Sequence, residues 1–331
     1  LQVSDTLPTV TVLIAARPGQ AQVKAVPASQ ALDYPSEKLQ ILLARGRQPS
    51  AQRNTGMRQA RGELIYFLDD DSVPRPQNLK LAVKHFQQAS IKMVGGPNVC
   101  PDDAPWLEKV FALVLSSWAL GPSRARYTAL GRSRETSEKE LILCNLVARR
   151  AALLELGGFN EALYPNEENA LMDELQKRGG KLLYDPDLVV ERRPRPNLKA
   201  FARMLMTYGR GRAEQFRLHP TFGSALNFVP PLFVLYVVVT ACVFVFAPVF
   251  GRILLAPLGL YGLVVLGQAA VLATKANVTR SLAAVPLMIL THLLYGFGFW
   301  RGLFTQLKAP SDRSPVPVEM EEIQTGQTTP R

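Results

Sequence analysis

Leu64-Ile65-Tyr66-Phe67-Leu68-Asp69-Asp70-Asp71-Ser72-Val73-Pro74 is the stretch that decides how this chain is read. A short apolar run ending abruptly in carboxylates fits a strand buried on both faces, as in a parallel sheet. In open α/β sheets ligands bind beyond the carboxyl ends of such strands. Adjacent carboxylates repel one another unless a cation or a proton relieves them. A hard divalent cation, Mg²⁺ or Mn²⁺, suits oxygen ligands and a diphosphate partner. On a continued strand Asp69 and Asp71 point to one side and Asp70 to the other, so Asp69 and Asp71 are the candidate metal ligands. Ser72, Pro74 and Pro76 leave open a second role for the acids as helix caps or a solvated loop.

Outward from this stretch, apolar β-rich runs alternate with helical ones. Strands are expected over 9–16, 38–44, 64–68 and 91–94, and helices over 21–32, 50–61 (Ser50 as N-cap) and 76–89. This alternation predicts an α/β domain with a mostly parallel or mixed sheet covered on both faces. Farther along, helices are expected over 106–120, 150–156 and 167–178, and strands over 140–147, 181–184 and 188–191. The basic stretch 121–140, containing Gly and Ser, reads as an active-site flap.

The 331 residues carry a formal charge of +11, and the second half of the chain is unlike the first. Three runs without a formal charge, 228–250, 253–274 and 281–300, are each long enough for a helix to cross about 30 Å of hydrocarbon. The middle run, with Gly259, Gly262, Gly267 and Gln268, reads as spanning or re-entrant. Between Arg192 and Arg217 lie seven Arg and one Lys against one Glu. Within it, 197–216 fits either a basic amphipathic helix against anionic lipid headgroups or a domain helix packed on the sheet. Its position against the membrane, rather than nucleic acid, accounts for the excess charge. Lys275 and Arg280 follow the second run, whereas Arg252 alone follows the first. The positive-inside rule then places the soluble domain in the cytoplasm, on a multi-pass inner (plasma) membrane protein. Three crossings would put the tail, with Glu319, Glu321 and Glu322, on the far side. The expected organisation is a catalytic domain over 1–195, an interface helix over 196–220, about three spans over 228–304 and a polar tail over 305–331. Leu1–Pro8 has neither the basic start nor the apolar core of an export signal. Cys100, Cys144 and Cys242 have no metal or disulfide spacing, which fits a reducing compartment.

Two further clusters carry chemistry. Arg53, Asn54 and Gly56 precede the aspartates; a basic side chain at a helix start can face a diphosphate, Asn54 can fix a loop, and Gly56 permits close backbone approach. Gly157-Gly158-Phe159-Asn160-Glu161 is followed by Asn166-Glu167-Glu168-Asn169. The paired glutamates are either a general base with its support or simply the acidic first turn of a helix.

Together, in this order and spacing, these elements resemble the family 2 glycosyltransferases of the GT-A fold, most closely their membrane-anchored bacterial members. The resemblance implies that Ala15, Ala16 and Arg17 hold the nucleotide. It implies that Arg53, Asn54, Asp69 and Asp70 contribute to the donor site and that Asp69-Asp70-Asp71 is the Asp-x-Asp metal motif. The acceptor-side Gly-Gly-Phe-Asp-Glu element falls on Gly157 to Glu161, with Asn160 in place of Asp. The catalytic Glu-Asp pair falls on Glu167 and Glu168, making Glu168 the expected base. Where many relatives have Asp-Asp-Gly-Ser after the second strand, this chain has Ala44-Arg45-Gly46-Arg47, which removes a carboxylate from the nucleotide base. Where many have Val-x-His-Arg it has Glu191 in the His position, a third candidate metal ligand. The implied activity is inverting transfer from a nucleotide-diphosphate sugar to a lipid-linked or membrane-delivered acceptor in cell-surface glycan synthesis. The competing readings are a nucleotidyl or phosphoglycosyl transferase, and a non-catalytic membrane protein binding nucleotides or anionic lipid.

Overall fold

The computed structural model describes residues 7–163, 166–218, 220, 222–307 and 317–324. In chain order the first elements are β1 (Val10–Ala16), α1 (Ala25–Gln30), β2 (Leu39–Arg45), α2 (Pro49–Gln59), β3 (Leu64–Asp69), β4 (Val73–Pro74), α3 (Asn78–His85), β5 (Ile91–Gly95), β6 (Asn98–Val99) and α4 (Trp106–Ser116). Then come β7 (Arg134–Thr136), β8 (Leu146–Arg149), α5 (Arg150–Glu155), α6 (Glu167–Lys177), β9 (Lys181–Tyr184), β10 (Val190–Glu191) and α7 (Leu198–Leu218). The chain continues with α8 (Val229–Phe246), α9 (Pro248–Ala273), α10 (Val278–Phe304) and β11 (Glu319–Ile323). It forms two compact units: one of 1–101, 122–193 and 308–331, the other of 102–121 and 194–307. The boundary expected near 195 is therefore crossed twice, by a helix from the first half and by the tail.

The first unit is built on a mixed sheet in the order β11-β2-β1-β3-β8-β5-β9-β7. β1 lies parallel to both β2 and β3, whereas β8 is antiparallel to β3 and β5. The apolar runs of β1 and β3 are buried along almost their whole length, as central strands require. Their register sets Ala15 beside Asp69, so both strands deliver their carboxyl ends to one edge. A three-stranded sheet, β4-β10-β6, sits where the chain leaves the aspartates and brings Glu191 opposite Val73.

Helix α2 is polar yet mostly buried. Its polar side chains face inward because they fasten the site, and Gly56 lets it lie directly on β1: a Cβ there would stand 2.3 Å from Leu13. The N-cap is Gln48, whose side chain accepts from Ala51 N at 2.9 Å, rather than Ser50. Pro49 takes the first helical position, which moves the cap upstream. The strand expected over 140–147 shrinks to β8, after a 3₁₀ turn over Leu143–Asn145. Asn145 leaves the ladder because its amide donates to Leu188 O (2.6 Å) and Pro97 O (3.2 Å) while its oxygen accepts from Tyr66 Oη (2.9 Å). The expected flap is partly tied down: its residues 134–136 form β7, antiparallel to β9, and Arg134 holds Glu140 at 2.9 Å.

The tail also departs from expectation. Its segment Glu319–Ile323 is a strand, antiparallel to β2, that covers the otherwise open edge of the sheet. Arg61 pairs with Glu322, Arg45 lies 3.6 Å from Glu321, and Gln30 donates to Gln324 O at 3.0 Å. A tail on the far side of a membrane is incompatible with this pairing. Ser311, in the middle of the expected tail, lies outside the described residues.

In the second unit α10 is the hub, in contact with α4, α7, α8 and α9. Phe111 of α4 stacks on Phe201 of α7 at 4.2 Å. Small residues let α7 and α10 meet backbone to backbone: a Cβ at Gly298 would stand 2.2 Å from Met206 O, and one at Gly209 would stand 2.1 Å from Tyr295 O. The basic helix packs along α10, and Phe201, Met204 and Leu205 of its apolar stripe are buried. α8, α9 and α10 are long and apolar enough to cross a membrane. α9 continues unbroken through Gly259, Gly262 and Gly267.

Candidate active site

The carboxyl ends of β1 and β3, the helix α2, the start of α6 and the strand β10 supply the side chains of the site. Asp69 closes β3; Asp70 and Asp71 follow in the turn. Arg53 reaches across from α2. Its Nη2 donates to Asp69 Oδ1 and its Nη1 to Glu167 Oε1, each at 3.0 Å. One guanidinium therefore joins the strand-end aspartates to the paired glutamates. Arg192, just past β10, closes the other side: it lies 3.1 Å from Asp69 Oδ2 and its Nε donates to Asp71 Oδ1 at 2.6 Å. Both oxygens of Asp69 are thus held by guanidiniums, while Asp71 is the more exposed of the two at 42%.

Five carboxylates, Asp69, Asp70, Asp71, Glu167 and Glu168, face two guanidiniums. The excess negative charge appears in the titration. The Asp70 carboxyl is pushed above its usual range by burial, with the neighbouring aspartates adding to the rise and Gln20 opposing it. Glu167 is pushed up to about 8, first by burial and then by the adjacent Glu168, against the pull of Arg53. The 3.0 Å ion pair points the other way, but Arg53 is shared with Asp69 and leaves Glu167 Oε2 buried without a partner. A raised value is the direction the geometry supports.

Glu167 and Glu168 begin α6. Glu167 is buried at 3% exposure; Glu168 is half-buried and accepts a long 3.3 Å bond from Asn169. Ahead of them Asn166 is the single described non-glycine residue in the left-handed region, with φ 95°. Such strain persists where the surroundings over-determine it. Asn166 Oδ1 accepts from Asn169 Nδ2 at 2.9 Å, and Asn169 Oδ1 accepts from Arg126 at 2.7 Å.

Asn54 faces the Gly-Gly-Phe turn. Its amide donates to Phe159 O (2.9 Å) and Glu161 Oε1 (2.8 Å), and its oxygen accepts from Phe159 N (2.8 Å). Gly158 makes this possible, with φ 82° and a Cβ position only 2.5 Å from Asn54 Oδ1. At the end of β1, Ala16 O accepts from Gly46 N (3.0 Å) and from Gln52 Nε2 (2.8 Å), so this edge is fixed while Arg17 stays exposed. Arg45 donates to Gln20 O at 2.9 Å.

Asp69 and Asp71 share Arg192 as a partner. Glu191 is exposed, and no group of three or more His, Cys, Asp or Glu side chains among the described residues could hold a metal ion. The residues therefore fit a cation that arrives with a diphosphate, bound through one or two carboxylates, and not a cage made by protein alone. Arg192 and Gln52 were not singled out from the sequence as site residues. The run Glu191-Arg192-Arg193 offered a signal for Arg192; nothing short of the fold distinguishes Gln52.

Residues 28–157, which include Arg53 and all three aspartates, match the family described as Glycosyl transferase family 2. That stretch is less than half of the chain, and over it the chain is similar to family 2 glycosyltransferases. A curated relative, the Pre-mycofactocin glycosyltransferase of Mycobacterium tuberculosis, found in two strains, is 27% identical over 183 residues. That match covers 52% of this chain and 36% of the relative, so the chain spans about a third of that protein's length. Among solved structures, the mannosyltransferase PcManGT from Pyrobaculum calidifontis, in complex with GDP-Man and Mn²⁺, has a TM-score of 0.53 at 16% identity, covering 90% of this chain and 88% of that one. The first unit thus has the GT-A fold, with a mixed sheet, and the chain adds three apolar helices that could cross a membrane.

Proposed function

We propose that this protein is an inverting, metal-dependent glycosyltransferase that moves a sugar from a nucleotide-diphosphate donor to a lipid-linked or membrane-delivered acceptor in cell-surface glycan synthesis. The observation that carries the reading is the Arg53 bridge, since one guanidinium binds the last residue of β3 and the first residue of α6. Donor-side and acceptor-side carboxylates of the family pattern are thereby held in one site. The family match and the curated relative support sugar transfer over the competing chemistries.

In this reading the diphosphate lies over the ends of β1 and β3, beside Ala15, Ala16, Arg17 and Asp70. Asp69 and Asp71 are the residues that would hold Mg²⁺ or Mn²⁺, which would supply neutralisation of the leaving diphosphate. Arg192 is placed to share that charge when it turns from the carboxylates it now holds. Glu168 accepts the proton of the acceptor hydroxyl, which attacks the anomeric carbon from the face opposite the leaving group. Glu167, enclosed and engaged with Arg53, positions the start of α6. An acceptor that is already an ionised lipid phosphate needs no base, and Glu168 then has only a positioning role. The apolar helices and the basic α7 are the grounds for a membrane-delivered acceptor, anionic-lipid contact and a cytoplasmic catalytic domain at the inner membrane.

The test is release of a nucleoside diphosphate by the purified full chain, given a panel of nucleotide sugars and a membrane lipid extract, with and without Mn²⁺ or Mg²⁺. Release of a nucleoside monophosphate or pyrophosphate would instead identify a phosphoglycosyl or nucleotidyl transferase. No turnover with any donor would favour a binding protein.

A further inference from the structure

We infer that the three apolar helices cross the membrane only twice: α8 and α9 form a hairpin through the bilayer, and α10 keeps both ends on the side of the catalytic domain.

The first observation is the tail strand. β11 pairs along its whole length with β2 of the catalytic sheet. The chain must return to the catalytic side after α10. The stretch from Lys308 to Val318 contains Lys308, Asp312 and Arg313 and three prolines, so it cannot supply a return crossing as a helix. The number of crossings between α7 and β11 is therefore even.

The second observation is independent and lies within the helical unit. α7 carries Lys199, Arg203, Arg210, Arg212, Glu214 and Arg217, and so does not cross; α8 thus begins on the catalytic side. α8 and α9 run antiparallel. A Cβ on Gly251 would meet Phe244, Tyr236 Oη donates to Leu254 O at 2.7 Å, and the Phe233 and Tyr261 rings lie 4.7 Å apart. α9 runs on past the level of the α8 start, where Gln268 accepts from Trp118 N of the α4 side at 3.2 Å. It therefore ends on the side where α8 began. α10 starts five residues after Ala273, a reach of at most about 18 Å, well short of the bilayer core. Its other end is at the same level: Trp300 Nε1 donates to Pro231 O at 3.0 Å in the first turn of α8, and Arg217 at the end of α7 donates to Gly302 O at 3.1 Å.

Charge and exposure agree. Lys275 and Arg280 mark the start of α10 and Arg301 its end, whereas the α8–α9 junction has only Arg252. The bare apolar surface is concentrated on the hairpin, including Val245, Phe246, Val249, Phe250, Ile253 and Leu260. Lipid chains are the occupant that such a surface fits, because the hairpin helices have the length and hydropathy of spans.

The experiment is labelling of single cysteines with a membrane-impermeant maleimide in intact and permeabilised cells, in the full chain with Cys100, Cys144 and Cys242 replaced. Val249→Cys should react in intact cells. Gln48→Cys, Lys275→Cys, Glu321→Cys and Gln324→Cys should react only after permeabilisation. Reaction of Glu321→Cys in intact cells while Gln48→Cys stays protected would overturn the even count, as would Lys275→Cys and Glu321→Cys on opposite sides. Protection of Val249→Cys in intact cells would overturn the hairpin. Should a substitution in β11 weaken the sheet, the Gln324→Cys probe just beyond it reports the same side independently.

Discussion

Glu167 offers the sharpest check on the electrostatics of the site. Burial and Glu168 raise its pKa in the folded protein to about 8, whereas an unfolded glutamate titrates near its ordinary value of about 4.3. Between those two values the folded chain holds a proton that the unfolded chain has released. The stability this group contributes is complete below the unfolded value and is lost as pH rises through the folded one, with a limiting slope of about 1.4 kcal/mol per pH unit. Glu167→Gln keeps the size and the acceptor for Arg53 and removes the titration. At pH 5 the substitution is expected to be near neutral or mildly destabilising. By pH 7.5 it should stabilise relative to the parent, by an amount on the order of 1–3 kcal/mol after allowance for Arg53, which opposes the rise. The assay is urea unfolding of the detergent-solubilised full chain at pH 5, 6, 7 and 8, followed by far-ultraviolet circular dichroism, since all three tryptophans lie in the other unit. Parallel stability–pH curves for parent and variant would refute the reasoning, since Glu167 would then be ionised throughout, as the Arg53 ion pair alone would have it.

Three further outcomes are expected. Glu168→Gln should lower turnover by roughly 10²-fold or more with a neutral hydroxyl acceptor, leaving the donor's KM nearly unchanged in initial-rate measurements, whereas Glu167→Gln should be milder. Asp71→Asn should abolish transfer while the thermal unfolding midpoint holds, and EDTA should silence the parent; full activity in either case rejects the metal assignment. Gly158→Ala forces a Cβ into a left-handed residue against Asn54, which should cost about 1–2 kcal/mol from the backbone alone. The midpoint should fall by several degrees in a thermal melt, and Asn54→Ala should produce part of the same loss.

Strong local signals made much of this protein readable from its sequence. The continuous apolar runs of β1 and β3, the acid cluster at a strand end and the charge-free helices each depend on neighbouring residues alone, and so they appear in the structure close to where periodicity places them. Pairing of distant segments is a different matter. That Arg53 would meet both Asp69 and Glu167, that Arg192 would clasp Asp69 and Asp71, and that Asn54 would fasten a turn more than a hundred residues away depends on strand order, which no local pattern encodes. The tail shows the same limit most plainly. Counting apolar runs gives three crossings and a far-side tail, because hydropathy reports how long a segment is and not which way its neighbours turn it. An open edge on β2 offers unpaired backbone groups, and Glu319–Ile323 satisfies them, a pairing that only the assembled sheet reveals.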